Sequence, residues 1–387
     1  MLMEAVIVSA VRTAIAKEGG SLKSMAPFQY GGAVIREAVS RAGLNPTEVD
    51  DVIFGNCMSG GGNIARLSLL EAGLPVEIPG LTIDRQCGSG MNAVALAAEA
   101  VWAGRGDVFV AGGTESLTRR PFLLEKQAKA YDRTPPRFIN PQLSPKEIGD
   151  PPMGITAENL VTKYGISRDE QDQFAYESQR KMARAIEEGR FKDQILLITV
   201  REGKNEFVFD TDEHPRPGTT LEALAKLPPA FKEGGSVTAG NSSGINDGAS
   251  ALVVMSKAKA ESMGLEILAK VTAYAVAGAD PNIMGIGPVP AVRKVLDRTG
   301  WKLEDIDLIE INEAFAAQVL ACDRELQFDR SKVNVNGGAI AHGHPIAATG
   351  AILCTKLVYE MKRTGLKRGM VTACIGGGQG IAVLFER

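Results

Sequence analysis

Two cysteines and one histidine carry the chemistry available to this chain. Cys87 stands in Ile83-Asp84-Arg85-Gln86-Cys87-Gly88-Ser89-Gly90, where a strand-like run meets a glycine-rich turn. Cys374 stands in Ala373-Cys374-Ile375-Gly376-Gly377-Gly378-Gln379-Gly380, a place of the same kind. Between them in sequence lies Gly343-His344-Pro345. A thiolate is a nucleophile, a second thiol can carry a proton, and backbone N–H groups bared by glycine can hold a developing oxyanion. The set points to acyl transfer through a thioester.

Each of these residues has a plainer reading. Most free cysteines are buried and inert, but packing alone does not call for the Gly-Ser-Gly that follows Cys87. A helix N-terminus and a nearby imidazole are expected to lower its thiol from about 8.5 to about 7 or below. His344 is one of three histidines, with His214 and His342. The run Asn336-Gly337-Gly338-Ala339 before it marks it as a placed base. The His342-x-His344 pair suggests a metal, yet no cysteine or acidic residue lies nearby in sequence to complete a ligand set. The glycines after Cys374 suggest a dinucleotide loop. That fingerprint needs a helix after the turn, whereas Ile381-Ala382-Val383-Leu384-Phe385 reads as a strand. Asn312, after the strand Leu308-Ile309-Glu310-Ile311, either orders a water or caps a helix. Cys57, Cys322 and Cys354 have no comparable setting, and Cys354 reads as packing within an apolar helix.

The elements that must position these residues occur twice. Glu4-Ala5-Val6-Ile7-Val8-Ser9-Ala10 is echoed by the segment from Ala269 to Ala275, the segment from Asn45 to Ile53 by that from Lys302 to Ile309, and the segment from Asp107 to Gly113 by that from Gly369 to Gly377. Each half alternates strand and helix, which predicts an α/β fold of two mixed-sheet halves covered by helices. Matching turns from the halves can then converge. Helices are expected over 33–42, 92–103 and 351–361. The second is apolar on nearly every face, the mark of a buried helix, and its positive end should lie near Cys87.

A charged, proline-containing stretch separates the halves. The expected units are 1–115 with 246–268, an inserted 116–245, and 269–387. The insertion holds an amphipathic helix from Arg168 to Glu188 entered at Ser167. It reads either as a solvated excursion or as a lid and binding loop.

Hydrophobic residues make up 44% and charged residues 23% of 387, with a net charge of −3. That balance belongs to a globular enzyme and gives no electrostatic ground for nucleic acid or an anionic membrane as partner. Five cysteines without a framework spacing suit a reducing cytoplasm. The N-terminal strand-like run shows no signal or transit character, and no apolar stretch is long enough to span a bilayer.

The motifs taken together resemble the thiolase family, the acetyl-CoA C-acyltransferases. The resemblance rests on Cys87-Gly88-Ser89, Asn312-Glu313-Ala314-Phe315, Gly343-His344-Pro345 and Cys374-Ile375-Gly376, and on the run from Val237 to Gly248, Val-Thr-Ala-Gly-Asn-Ser-Ser-Gly-Ile-Asn-Asp-Gly. It covers essentially the whole chain and implies the thiolase fold, in αβαβα layers with an inserted loop domain. It implies ping-pong interconversion of two acyl-CoA with 3-oxoacyl-CoA plus CoA, chemistry shared by fatty-acid breakdown and acetoacetyl-CoA synthesis. Cys87 would be acylated, His344 would take its proton, Asn312 would fix a water, and Cys374 would move the α-carbon proton. Backbone N–H groups of Cys87 and Gly376 would form an oxyanion site. Pantetheine would lie near Ser243, the nucleotide end near Arg216, and Met153 and Met284 would line the acyl pocket. CoA and acyl-CoA would be substrates, with no resident cofactor and no metal, and the protein would be a homodimer or homotetramer.

Some positions depart from the family pattern. Pro152 stands where short-chain members commonly carry histidine, which puts an acetoacetyl preference in doubt. His342 replaces an aliphatic residue, Ala347 and Thr349 replace Gly and Ser, and Asp84 replaces Asn. A decarboxylating ketoacyl synthase shares this fold but relies on one cysteine with two histidines, or with His and Asn, so Cys374 argues against it. A non-catalytic CoA- or lipid-binding relative would typically lack one of the four side chains.

Overall fold

The computed structural model describes residues 3–129, 131 and 133–387. Its centre is an 11-stranded mixed sheet. The nine strands on its main path are β1 (Ala5–Thr13), β2 (Asp51–Gly55), β3 (Gly80–Ile83), β4 (Val108–Ser116), β5 (Asn246–Ser256), β6 (Ala269–Gly278), β7 (Leu308–Ile311), β8 (Arg368–Ile375) and β9 (Gln379–Glu386). They lie in the order β7-β8-β9-β6-β1-β5-β4-β2-β3. The outer pairs β7·β8, β2·β4 and β2·β3 are parallel and the inner pairs antiparallel.

The duplication inferred from sequence is visible in this order. β1 and β6 lie side by side, β2 answers to β7, and β4 answers to β8. The halves meet where β1 and β6 pair through only three residue pairs, Ala5↔Val271, Val6↔Lys270 and Ile7↔Ala269. Most of the sheet is buried on both faces, so its inner strands are largely apolar, while β6 keeps a part-exposed face with Lys270 and Tyr274. In β9, Ile381, Val383 and Phe385 face the inner core, while Ala382 and Leu384 face the outer one.

Two helices fill the space between the halves: α2 (Ser89–Trp102) and α8 (Ile346–Thr364). α2 begins one residue after Gly88, and α8 begins two residues after His344. The duplicated architecture therefore points the start of a buried helix from each half toward the same place. Their backbones approach closely at glycines. A Cβ on Gly90 would lie 2.8 Å from both Ala347 O and Ala351 N, and one on Gly350 would strike the Met91 backbone.

Helix starts differ from the sequence expectation. α2 starts at Ser89 rather than Asn92, and α1 covers Pro27–Arg41 rather than 33–42. Gly31 and Gly32 sit inside α1, where a Cβ would press on Ser68 and Glu71.

The chain leaves β4 at Ser116 and returns at Asn246 to β5, which pairs with β4. Between them lie α3 (Met153–Tyr164) and α4 (Arg168–Glu187). Ser167 starts α4 as a capping box: its hydroxyl accepts from Glu170 N at 3.1 Å, and the Glu170 carboxylate accepts from Ser167 N at 2.7 Å. Three more helices matter below: α5 (Pro288–Thr299), α6 (Ala316–Leu326) and the single turn α7 (Ala339–His342). Among the described residues no helix is long and apolar enough to cross a membrane.

Candidate active site

Cys87 sits on a 3₁₀ turn, Gln86–Gly88, between β3 and α2. Gln86 has φ +44°, left-handed backbone that costs a non-glycine residue about 1–3 kcal/mol. Asp84 holds it there. Its Oδ1 accepts from Gln86 N at 2.8 Å and Gln86 Nε2 at 3.0 Å. Ser89 secures the far side, accepting from Arg85 N at 2.8 Å and donating to Gln86 O at 2.7 Å. Asp84 and the Gly-Ser-Gly sequence thus fix the direction of the thiol.

His344 arrives from the other half. Its Nε2 lies 3.2 Å from Cys87 Sγ, and its Nδ1 lies 2.7 Å from Thr349 Oγ1, one turn into α8. For Nε2 to accept a proton, Nδ1–H must donate to Thr349. His344 N donates to Asn246 Oδ1 at 3.0 Å. Asn312 Nδ2 lies 3.5 Å from His344 Nε2, while Asn312 Oδ1 is buried with no protein partner. Asn312 caps no helix; the N-cap of α6 is Phe315. Cys87, His344 and Asn312 are therefore gathered as expected.

The expected lowering of the Cys87 thiol is not found. Burial pushes it up to about 11, although the N–H groups of Gly376 and of Cys87 itself, both bonded to the sulfur, pull it back. Burial drives His344 down to about 4. Both shifts disfavour charge, so the resting pair is a neutral thiol against a neutral imidazole. The helix N-terminus and the imidazole do not outweigh desolvation. The imidazole then acts as a base during attack, not as a standing counter-ion.

Cys374 lies near the end of β8 and is fully buried. It packs in an apolar cluster with Met284, Phe315, Ala314 and Val237, and Met153 borders that cluster. Its thiol is held well above the ordinary range, first by burial and then by the charge Cys87 would carry. The Cys87 turn packs on the same strand end: a Cβ on Gly88 would meet Ile375 at 2.7 Å. Met153 and Leu143 both flank Gly376. Unbranched Met153 and Met284 form adaptable parts of its cover.

Arg216 and Ser243 lie farther out. Arg216 is exposed on the rim of a cavity of about 300 Å³ that His214, Thr219, Leu224, Leu227 and Gly240 also line. Ser243 is half-buried beside the catalytic loops, its N–H donating to Ala314 O at 2.9 Å.

Sequence reasoning missed several supports. Buried Glu115 closes β4 and binds two loops. It accepts from Cys57 N at 3.1 Å, Ser59 N at 2.9 Å and Ser59 Oγ at 2.7 Å, and reaches Ala347 N at 3.4 Å. Cys57 does have a setting after all: its sulfur lies 3.2 Å from Ser89 Oγ, against the Cys87 turn. Thr349 counted only as a departure, and Asn246 carried no signal beyond its place in the Val237–Gly248 run. Cys322 and Cys354 are buried packing.

Comparison with known proteins agrees with this geometry. The family model described as "Thiolase, N-terminal domain" matches residues 5–258, and that described as "Thiolase, C-terminal domain" matches residues 265–387. The chain is 49% identical to an acetyl-CoA acetyltransferase of Syntrophomonas wolfei and 49% identical to one of Pseudomonas aeruginosa, each over 100% of both chains. A crystal structure of the Bacillus anthracis acetyl-CoA acetyltransferase superimposes with a TM-score of 0.95 at 47% identity, covering 100% of this chain and 99% of that one. Human mitochondrial 3-ketoacyl-CoA thiolase in complex with CoA superimposes with a TM-score of 0.92 at 40% identity, covering 100% and 98%.

Proposed function

The chain belongs to the thiolase family, and from that premise we propose how its residues divide an acyltransferase reaction. The activity is that of a thiolase: two acyl-CoA, one of them acetyl-CoA, interconvert with 3-oxoacyl-CoA plus CoA.

In the cleavage direction, Cys87 S–H gives its proton to His344 Nε2 as sulfur attacks the 3-oxo carbon. The C2–C3 bond breaks. The electron pair leaves as the enolate of acetyl-CoA, and Cys374 S–H protonates its carbon. An acyl group now sits on Cys87. The incoming CoA thiol gives its proton to the Cys374 thiolate and attacks that acyl carbonyl. Cys87 leaves as thiolate and recovers its proton from His344. Synthesis is the reverse. Acetyl-CoA leaves before CoA enters, with the acyl group held on Cys87 in between, which makes the route ping-pong.

The observation that carries this reading is the 3.2 Å contact of Cys87 Sγ with His344 Nε2, on a sulfur that also receives the N–H groups of Cys87 and Gly376. Those N–H groups already point at the sulfur, so an acyl group on it would bring its oxygen beside them, and they serve as its oxyanion site. Loss of one such donor typically costs about 10²–10³ in rate. Asn312 Oδ1, buried without a protein partner, suits a water that faces the other thioester oxygen together with His344. The raised Cys374 thiol makes its thiolate a strong base, matched to a weakly acidic α-carbon. The Arg216 cavity takes the nucleotide end of CoA, Ser243 borders the pantetheine, and Met153 and Met284 shape the acyl pocket. These side chains supply the chemistry without a resident cofactor or metal.

The same reading treats 1–115 with 246–268 and 269–387 as the two catalytic halves, and 116–245 as the loop domain over the site. It places the protein in the cytoplasm, where five free thiols stay reduced. It also makes the protein a homo-oligomer. Edge strand β3 leads directly into the Cys87 turn, with Leu81 exposed upon it, and exposed Phe122 and Phe138 stack edge-to-face at 5.7 Å on an outlying hairpin. Free edges and apolar hairpins of this kind are covered by partners.

The test is thiolysis of acetoacetyl-CoA and longer 3-oxoacyl-CoA by Cys87→Ser. The expected result is loss of turnover with folding intact. Near-normal turnover would refute the nucleophile.

A further inference from the structure

The peptide unit that carries His344 is held at both ends. Its N–H donates to Asn246 Oδ1 at 3.0 Å, and its carbonyl, that of Gly343, lies 2.8 Å from His342 Nδ1. We propose that His342 is a positioning residue for the general base, acting through this carbonyl. The inference rests on His344 being the base of the thiolase reaction.

The need for a clamp follows from Gly343. Its φ is +97°, and a Cβ there would run into the Asn246 side chain. Only glycine fits, and glycine leaves the peptide plane free to swing. A swing of that plane would carry the His344 backbone, and with it the ring that must stay 3.2 Å from Cys87 Sγ. On the N–H side, Asn246 Oδ1 and the backbone pairing of His344 with Ile245 hold the unit. His342 fixes the carbonyl side.

The imidazole has no other polar task. His342 is 1% exposed, and its Nε2 is buried without a protein partner. A carbonyl only accepts, so the proton is on Nδ1. Burial first, and then the nearby charges of Lys356 and Arg12, oppose a second proton, and the ring is neutral. An unpaired buried nitrogen is a cost that an aliphatic side chain avoids. The bond to Gly343 is what the imidazole offers in return. The Nδ1 atoms of His342 and His344 are both taken, one by a carbonyl and the other by a hydroxyl.

The experiment compares His342→Leu with His342→Asn in the full-length enzyme, with active sites counted by acetyl label on Cys87. Asparagine can present Nδ2 near the position of Nδ1; leucine cannot. The expected result is a drop in kcat of about ten-fold for His342→Leu. KM for CoA should stay within about two-fold. His342→Asn should recover most of the rate. A full-rate His342→Leu enzyme overturns the proposal, as does a folded His342→Asn enzyme as slow as the leucine variant. The asparagine comparison with wild type decides the matter if the leucine variant fails to fold. Either failure leaves the thiolase reading standing; only wild-type protein inert toward 3-oxoacyl-CoA would strike that.

Discussion

Cys87 and His344 share one proton across 3.2 Å, in surroundings that penalise charge on either partner. Alkylation reports the thiolate, so its pH dependence follows directly. With the thiol at about 11, the rate of iodoacetamide labelling of Cys87 should climb about ten-fold per unit from pH 7 to pH 10. His344, neutral above about 4, should add no inflection in that range. A plateau reached by pH 8 would mean a standing thiolate–imidazolium pair and would contradict the neutral ground state. Much of the residue set was legible: Cys87, His344 and Cys374 announce themselves by type and turn, whereas Asn312 stood between a water ligand and a helix cap until the family resemblance gave it a role. The direction of the thiol's shift was not legible, because sequence names the helix dipole and the imidazole but not the exclusion of water. Thr349 was equally hidden. Its role depends on which face of α8 meets the ring, and that follows only once the helix start is known.

At the scale of elements, the site exists because two buried helices cross closely enough to bring their N-terminal turns together. The duplication that pairs β1 with β6 and β4 with β8 was readable from strand-like repeats. The crossing was not, because glycine was read as punctuation. Gly90 and Gly350 are packing residues inside α2 and α8. Substitution there cannot be absorbed by a flexible side chain, since the neighbours are backbone. Gly350→Val should therefore destabilise the protein by about 1–3 kcal/mol or more, seen as a lower urea midpoint. It should also slow Cys87 acylation, since α8 carries Thr349 and follows His344. Unchanged stability and rate would show that the crossing has slack and does not set the site.

For the molecule as a whole, the most exposed apolar groups of the insertion lie on an outlying hairpin. Phe122 is 89% exposed and Phe138 73% exposed, on the hairpin pairing Leu123–Leu124 with Phe138–Ile139. Sequence showed the insertion but not this hairpin, whose two-residue strands have no periodicity to read. If the hairpin joins copies of the chain, Phe122→Asp with Phe138→Asp should lower the mass seen by light scattering to that of a smaller assembly, with each chain still folded. An unchanged mass would remove the hairpin from the interface.

The account depends most on Cys87 as the acyl carrier with Cys374 acting separately on the carbon chain. Peptide mapping by mass spectrometry after exposure to acetyl-CoA tests both at once, in wild type and in Cys374→Ala. The expected result is an acetyl group on Cys87 in both proteins, with condensation lost only in the variant. Acetyl on another residue, or a Cys374→Ala protein that can no longer be acylated at Cys87, would contradict it.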